Sequence, residues 1–163
     1  MATSLELTAA MHPAFLGTYA ALAKELLNAI AASGVRVRPV TTTMAEFQAE
    51  VDRGQVDLVI GRWYADYPDP DSFAYLLHSQ RGYLGRVCSS QETDRLMSLA
   101  RTESTPAVRH ALYLQIEGLV AHDAMLLPLF HEQAYRIGRP ELEGMSVSLG
   151  FPVVAFEDLR IRM

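Results

Sequence analysis

One short segment of this chain combines the residue types that hold a small cation. Residues 63–73 read Trp-Tyr-Ala-Asp-Tyr-Pro-Asp-Pro-Asp-Ser-Phe, so aromatic rings and a carboxylate stand beside a proline-rich turn. A carboxylate binds a cation through charge-assisted hydrogen bonds, and the faces of aromatic rings attract cations as well. We therefore predict a ligand-binding site formed by Trp63, Tyr64, Asp66 and Tyr67.

The position of this segment supports a binding site. It follows an apolar run at 56–61, Val-Asp-Leu-Val-Ile-Gly, which predicts a buried strand. In open α/β sheets, ligands bind in the crevice at the carboxyl ends of the strands. Two structural alternatives stay open, since Asp66 could cap a turn and Trp63 could belong to the core. Asp69 precedes Pro70, a pair that predicts the start of a helix.

No residue pattern in the sequence indicates catalysis, a metal or a cofactor. The five histidines lack the spacing of a metal site, and there is no Gly-x-Ser-x-Gly elbow, phosphate loop or dinucleotide glycine pattern. Cys88 is the single cysteine, which excludes a disulfide framework and any zinc site with two thiolates. We expect a binding protein rather than an enzyme, with no catalytic residue, no metal and no cofactor.

Composition and charge narrow the function classes further. The 163 residues carry a net charge of −5, and the arginines are scattered rather than clustered. A nucleic-acid-binding domain needs a basic face, so we expect no nucleic-acid partner. No apolar run approaches the roughly 18 residues of a membrane helix, so we also expect no direct membrane insertion.

The first sixty residues predict an α/β domain with a mixed, mainly parallel sheet flanked by helices. Parallel pairing is favoured because helices separate the strands, and parallel strands need crossover connections of this length. The predicted elements are a strand at 5–8, a helix from His12-Pro13, a strand at 35–38, a helix opened by a capping box from Thr43 to Glu46, and the strand at 56–61.

The remainder predicts three helices followed by short strands. The helices begin at Asp69-Pro70 with Phe73, Leu76 and Leu77 inward, at a capping box from Ser89 to Glu92 with Leu96, Leu99 and Ala100 inward, and at Thr105-Pro106. The last two form an antiparallel pair. The strands are a buried one at 125–130, in which Pro128 requires an edge or a bulge, its partner at 134–137, and pieces near 145–149 and 159–161.

Four motifs occur in an order typical of one protein family. They are Gly54-x-x-Asp57-Leu58 leading to Trp63-x-x-Asp66-Tyr67-Pro68-Asp69-Pro70, Asp94-x-Leu96 with Ala100, Arg109-x-x-Leu112-Tyr113-x-x-Ile116-Glu117, and Leu127-Pro128-Leu129-Phe130. On these residues, nearly the whole chain resembles the C-terminal lobe of the family 5 extracellular solute-binding proteins, the peptide receptors of ABC importers. The resemblance implies a lobe like those of type II periplasmic binding proteins.

The resemblance implies a receptor that encloses its ligand between two lobes, which close by a hinge motion. Residues 1–163 are then expected to be one domain, a fragment that lacks the N-terminal lobe and the signal peptide. In the peptide-binding branch, the aspartate of the Trp-x-x-Asp motif pairs with the terminal ammonium of the ligand, a role that falls here on Asp66. The implied partners are a peptide or similar solute, the missing lobe and the importer's permease subunits, and the implied location is the periplasm.

Three alternatives to a peptide receptor stay open. Family members that bind sugars, nickel chelates or opines share the scaffold, and the bulky Tyr64 beside the motif is expected to narrow the pocket. The same lobe fused to a DNA-binding domain would serve as the sensor of a cytoplasmic regulator. A hydrolase of small amides is the third alternative, for which the sequence offers carboxylates and histidines without a triad grouping.

Overall fold

The computed structural model describes residues 5–133, 135–147 and 154–162. Its centre is a three-stranded sheet in the order β2-β1-β3, composed of β1 (Leu5–Met11), β2 (Val35–Pro39) and β3 (Leu58–Ile60). The central strand β1 runs parallel to both neighbours. The parallel pairing that the crossover lengths predict is thus observed.

The crossover from β1 to β2 contains a shorter helix than the sequence predicts. His12 caps a single 3-10 turn at Pro13–Phe15, because its Nδ1 accepts a hydrogen bond of 3.1 Å from the Ala14 N–H. The helix α1 (Ala20–Ala32) begins only after a further turn. That turn contains a glycine and a threonine, which are poor helix formers. The predicted helix start at His12-Pro13 is therefore wrong.

The crossover from β2 to β3 follows the prediction. In α2 (Met44–Arg53), Thr43 Oγ1 accepts from the Glu46 N–H, and the Glu46 carboxylate accepts from the Thr43 N–H, which is the predicted capping box. The helix ends at Gly54, whose φ of +63° favours glycine. A Cβ at this position would also lie 2.7 Å from the Arg86 carbonyl oxygen, so the chain approaches too closely for any other residue.

Three further helices form a second cluster. They are α3 (Asp71–Ala74), which continues as a 3-10 turn at Tyr75–Leu77, α4 (Gln91–Thr102) and α5 (Pro106–His122). Their shared core consists of Leu96, Met97, Ala100, Tyr113 and Ile116. Helices α4 and α5 pack together as the predicted pair. No helix within the described ranges is long and apolar enough to cross a membrane.

Three predictions about this cluster are wrong in detail. The capping box of α4 joins Ser90 to Thr93, one residue later than predicted, because it is Ser90 Oγ that accepts the Thr93 N–H. The buried face of α4 therefore includes Met97, while Leu99 lies outside it and is exposed. Phe73, predicted to face inward, is exposed as well.

The buried strand predicted at 125–130 is wrong. The segment joins no ladder within the described residues, and Leu127 is 77% exposed. A strand needs a neighbour that completes its backbone hydrogen bonds. The predicted partner at 134–137 does not form a strand in the described residues: Tyr135 and Ile137 are exposed and belong to no β-ladder. Ala134 lies outside the described residues.

The end of the described chain forms one short antiparallel ladder. It joins β4 (Leu142–Glu143) to β5 (Arg160–Ile161), so the strand predicted near 159–161 is confirmed. Strand β4 ends at Glu143, because the next residue, Gly144, has a φ of +83° outside the extended region. The strand predicted near 145–149 is absent at 145–147, and 148–149 lie outside the described residues.

Candidate functional site

The candidate site lies at the carboxyl ends of two neighbouring strands. His12 follows β1, and the loop from Arg62 to Asp66 follows β3, with the His12 N–H hydrogen-bonded to the Ile60 carbonyl at 2.9 Å. Together they line an open depression of about 350 Å³, formed by His12, Arg62, Trp63, Tyr64 and Asp66. Three of the four predicted site residues are therefore brought together, at the sheet edge where the fold predicts a ligand.

Asp66 offers its carboxylate to the solvent. Its backbone N–H donates to Ser72 Oγ at 2.9 Å, which fixes the main chain of the loop to the start of α3. The side chain itself is exposed and accepts no hydrogen bond from the described part of the chain. The turn-capping alternative for Asp66 thus has no support among these contacts, and the charge is available to a ligand.

Trp63 is held as one wall of the depression. Its indole N–H donates to the Ser72 carbonyl at 3.0 Å, and its ring lies 5.8 Å from that of Tyr83. The side chain remains 37% exposed, so the core alternative is only partly correct. An anchored indole with one free face suits an apolar or cationic ligand group.

Tyr64 and Arg62 both bind Glu132, a residue that the sequence did not indicate as part of the site. The Tyr64 hydroxyl and the Arg62 Nη2 both donate to Oε2 of Glu132, the latter at 2.6 Å. The Arg62 guanidinium also lies 4.6 Å from the centre of the Tyr64 ring and 5.5 Å from that of Tyr19. A basic residue directly before the aromatic pair is a signal visible in the sequence, whereas its partner 70 residues away is not.

The charge of the depression favours a cation. Burial first, and the Arg62 guanidinium second, lower the pKa of His12, so its ring is neutral near pH 7. Among the lining residues, the charges of Asp66 and Arg62 balance. Glu132 is bonded to Arg62 beside them and adds a second carboxylate, so the depression together with this neighbour carries a net negative charge.

Tyr67, the fourth predicted site residue, does not line the depression. Its hydroxyl donates to Asp71 Oδ2 at 2.8 Å, directed towards the α4–α5 pair. Burial and the Asp71 carboxylate raise the pKa of Tyr67. The structure therefore gives Tyr67 a bond to the scaffold instead of a position beside Asp66.

The scaffold behind the site is an ion-paired network. Arg109 makes two parallel hydrogen bonds to Asp69, at 2.8 and 2.9 Å, and Arg101 makes two to Asp71. The Tyr113 hydroxyl donates to Asp71 at 3.1 Å. Hydrogen bonds from the arginines lower the pKa of both aspartates, and burial followed by Asp71 raises the pKa of Tyr113 to about 12. The network connects the site loop to α4 and α5.

Asp69 combines this ion pair with its predicted role. Its Oδ1 accepts the Asp71 N–H at 2.8 Å at the start of α3, although the helix begins at Asp71, one residue later than predicted. Arg109 belongs to one of the sequence motifs, but neither its pairing with Asp69 nor that of Arg101 with Asp71 was predicted. The signal available for them is the Asp-x-Asp spacing of Asp69 and Asp71, since two neighbouring carboxylates at a helix start need compensating cations.

Comparisons with known proteins give sequence relatives and fold neighbours, although no protein-family model matches the chain. Probable di/tripeptide-binding protein 5 of Pseudomonas aeruginosa is 29% identical over 133 residues, which are 78% of this chain and 25% of that protein. The periplasmic murein peptide-binding protein MppA of Escherichia coli is 28% identical over 96 residues, 58% of this chain and 18% of that protein.

Two solved structures establish the fold. The murein tripeptide-binding protein MppA of Escherichia coli matches at a TM-score of 0.77 and 22% identity, covering 96% of this chain and 31% of that chain. Clavulanic acid biosynthesis oligopeptide binding protein 2 matches at a TM-score of 0.81 and 18% identity, covering 98% and 31%. The fold that the resemblance implies is confirmed. The chain has the fold of part of a type II periplasmic binding protein, and it spans about a quarter of the length of its first relative.

Proposed function

We propose that this chain is the ligand-gripping, C-terminal lobe of a solute-binding protein that delivers peptides to an ABC importer. The observation that carries the proposal is the carboxylate of Asp66, exposed and without a partner in the described residues, beside the walls of Trp63 and Tyr64. In this arrangement Asp66 receives the terminal ammonium of the peptide. The two relatives bear the names of peptide-binding proteins, which supports the same class of ligand.

The charges of the site support an ammonium ligand over an anion. The net negative depression repels a free carboxylate and attracts a cation, and the aromatic walls contribute cation–π attraction. A neutral sugar cannot form an ion pair with Asp66, and the carboxylates of the site repel anionic chelates or opines. Among the described residues, the lining contains the neutral base His12 but no serine, threonine or cysteine that it could activate, so binding without chemistry is the function proposed.

The exposed apolar residues after α5 support a second lobe. Leu127, Tyr135 and Ile137 are 77%, 70% and 89% exposed, values that a folded protein rarely leaves uncovered in one segment. The N-terminal lobe of the same receptor is the proposed cover. Because the depression is open on one side, the second lobe also completes the site by closing over it.

The remaining parts of the proposal concern the whole receptor. One relative is named a periplasmic protein, which supports export of the full-length protein to the periplasm. There the liganded, closed receptor docks on the permease subunits of the importer. The cytoplasmic-regulator alternative gains no support from either named relative.

Calorimetric titration tests the function. The full-length gene product is titrated with pooled di- to pentapeptides as wild type, as Asp66→Asn, and as Asp123→Asn, a matched control on an exposed aspartate at the end of α5. We expect saturable binding that weakens by about 2–5 kcal/mol in Asp66→Asn, the usual loss when a buried charge pair is broken, and no loss in Asp123→Asn.

Two other outcomes contradict the proposal at different levels. Peptide binding that Asp66→Asn leaves unchanged removes Asp66 as the anchor and keeps the peptide receptor. No binding of any peptide by the wild type removes the peptide receptor, and sugars, nickel chelates and opines are then titrated in turn.

A further inference from the structure

The candidate site contains a charge that would compete with its ligand. Arg62 is the one Lys or Arg that lines the depression, and it stands four residues before Asp66 in the same loop. Opposite charges in one small depression attract each other, more strongly when a closing lobe excludes water. An Arg62 free to move would pair with Asp66 and occupy the position of the ligand cation.

Glu132 prevents this competition between Arg62 and the ligand cation by binding Arg62 itself. Glu132 accepts the Arg62 Nη2 at 2.6 Å and the Tyr64 hydroxyl on the same oxygen. The guanidinium also lies over the rings of Tyr64 and Tyr19, at 4.6 and 5.5 Å from their centres. Arg62 thus has an anion and two aromatic faces that all keep it away from Asp66.

The segment that supplies Glu132 is itself anchored beside the site. Two residues before it, the Phe130 ring lies 6.5 Å from the Tyr19 ring, edge to face. The segment between α5 and β4 therefore reaches the site at two points: an aromatic contact and an ion pair. This segment thus supplies the anion that pairs with Arg62.

We propose that Glu132 is a positioning residue that determines ligand specificity, because it holds Arg62 as an internal partner and so keeps Asp66 available for a cation. The inference rests on the proposed function, in which Asp66 binds an ammonium group. Without Glu132, Arg62 neutralises Asp66, the depression loses its net negative charge, and discrimination between cationic and anionic ligands falls.

A pair of matched peptides measures this discrimination in the full-length protein. Trialanine amide has a free ammonium and no carboxylate, and N-acetyl-trialanine has a free carboxylate and no ammonium. We expect Glu132→Ala to weaken binding of the amide about tenfold, equivalent to about 1.4 kcal/mol, and to reduce the preference for the amide over the acetylated peptide. Glu25→Ala, an exposed glutamate on α1, removes the same charge outside the depression and should change neither value.

The double variant Arg62→Ala/Glu132→Ala separates positioning from a structural role. If Glu132 acts only by holding Arg62, removing both residues restores binding of the amide to within about threefold of the wild type. A double variant as weak as Glu132→Ala overturns the inference, because Glu132 would then act directly on the ligand or on the fold. Glu132→Gln, which keeps a hydrogen-bond acceptor without the charge, should lie between wild type and Glu132→Ala.

A ligand-free measurement keeps this inference distinct from the proposed function. In a crystal structure of the Glu132→Ala protein, we expect the Arg62 guanidinium within about 4 Å of the Asp66 carboxylate, the limit of an ion pair. An Arg62 that remains between Tyr19 and Tyr64 overturns the inference. If the wild type binds neither peptide, the proposed function fails, and the crystal structure still decides whether Glu132 keeps Arg62 from Asp66.

Discussion

Two aspartates five residues apart, Asp66 and Asp71, have opposite surroundings. Asp71 is 6% exposed and accepts hydrogen bonds from Arg101, Tyr67 and Tyr113. Asp66 is exposed and accepts none from the described residues. The same side chain is thus a structural anchor at the first residue of α3 and a candidate ligand group in the loop before it.

The difference between them shows how the site loop is organised. Ser72, at the start of α3, holds the main chain at Asp66 and the indole of Trp63, while Asp69 and Asp71 fasten the loop to α4 and α5. The Asp66 charge, which we propose binds the ligand, has no partner among the described residues. Its hydrogen-bonded neighbours keep it in place, which would lower the entropy lost on binding. The ion pairs of Asp69 and Asp71 thus hold in place the part of the segment that carries Asp66.

The largest effect on stability is expected from Asp71→Ala. The substitution removes a buried carboxylate and leaves Arg101 and two tyrosine hydroxyls without their acceptor. Breaking a buried pair usually costs 3–5 kcal/mol, and since Arg101 is 40% exposed we expect about 3 kcal/mol in the free energy of unfolding. Urea unfolding at pH 7 measures it, with Asp52→Ala on the exposed face of α2 as the control. A loss below about 1 kcal/mol would show that the network is not structural.

Acid should weaken the ion-paired half of the loop. Hydrogen bonds from the arginines lower the pKa of Asp69 and Asp71, so both contribute stability above the unfolded value of about 3.9 and lose it as the pH falls through the folded pKa. Capping hydrogen bonds lower the pKa of Glu46 to about 2, so α2 contributes to the same loss. We expect the free energy of unfolding to decrease as the pH falls below about 4.

The variant Asp71→Asn tests that assignment. It removes one of the titrating groups, so its free energy of unfolding should decline less between pH 5 and pH 2 than that of the wild type. Urea unfolding at a series of pH values measures both declines. Equal acid slopes would mean that the Asp71–Arg101 pair contributes nothing to the pH dependence.

A smaller effect is expected from Arg109→Lys. Arg109 binds Asp69 through two parallel hydrogen bonds, donates to the Ala100 carbonyl at 3.1 Å and lies over the Tyr113 ring. A lysine keeps the charge but cannot make the paired bonds. Since both partners are partly exposed, we expect a loss of about 1 kcal/mol in the free energy of unfolding. Arg95→Lys, in an exposed pair with Glu92, is the matched control and should lose less.

The local elements of this fold could be predicted from the sequence because their signals lie within a few residues. The capping box at Thr43, the end of α2 at Gly54 and the proline at the start of α5 depend only on near neighbours. The parallel sheet followed from the order of strands and helices. The strand at 125–130 was wrong because a hydrophobic run predicts burial only when another part of the protein covers it. Within the described residues the cover is partial, since Phe130 contacts Tyr19 while Leu127 is 77% exposed.

The candidate site could be predicted only in part, for the same reason. The aromatic pair and Asp66 are adjacent in sequence, so their grouping was visible. Tyr67 is a neighbour in sequence but follows the turn, and its hydroxyl is directed to Asp71. Glu132 reaches the site from 70 residues away, a pairing that depends on the tertiary fold and leaves no local pattern.

The smallest effect on stability is expected from Asp66→Asn, which sharpens the comparison with Asp71. Because the Asp66 carboxylate is exposed and accepts no hydrogen bond in the described residues, its loss should change the free energy of unfolding by less than about 0.5 kcal/mol. Urea unfolding of the two variants, Asp66→Asn and Asp71→Asn, under one condition gives the contrast directly. A loss at Asp66 as large as that at Asp71 would place Asp66 in the structural network and withdraw its charge from the ligand. A near-zero loss, combined with weakened peptide binding, is the outcome that only a ligand-binding carboxylate produces.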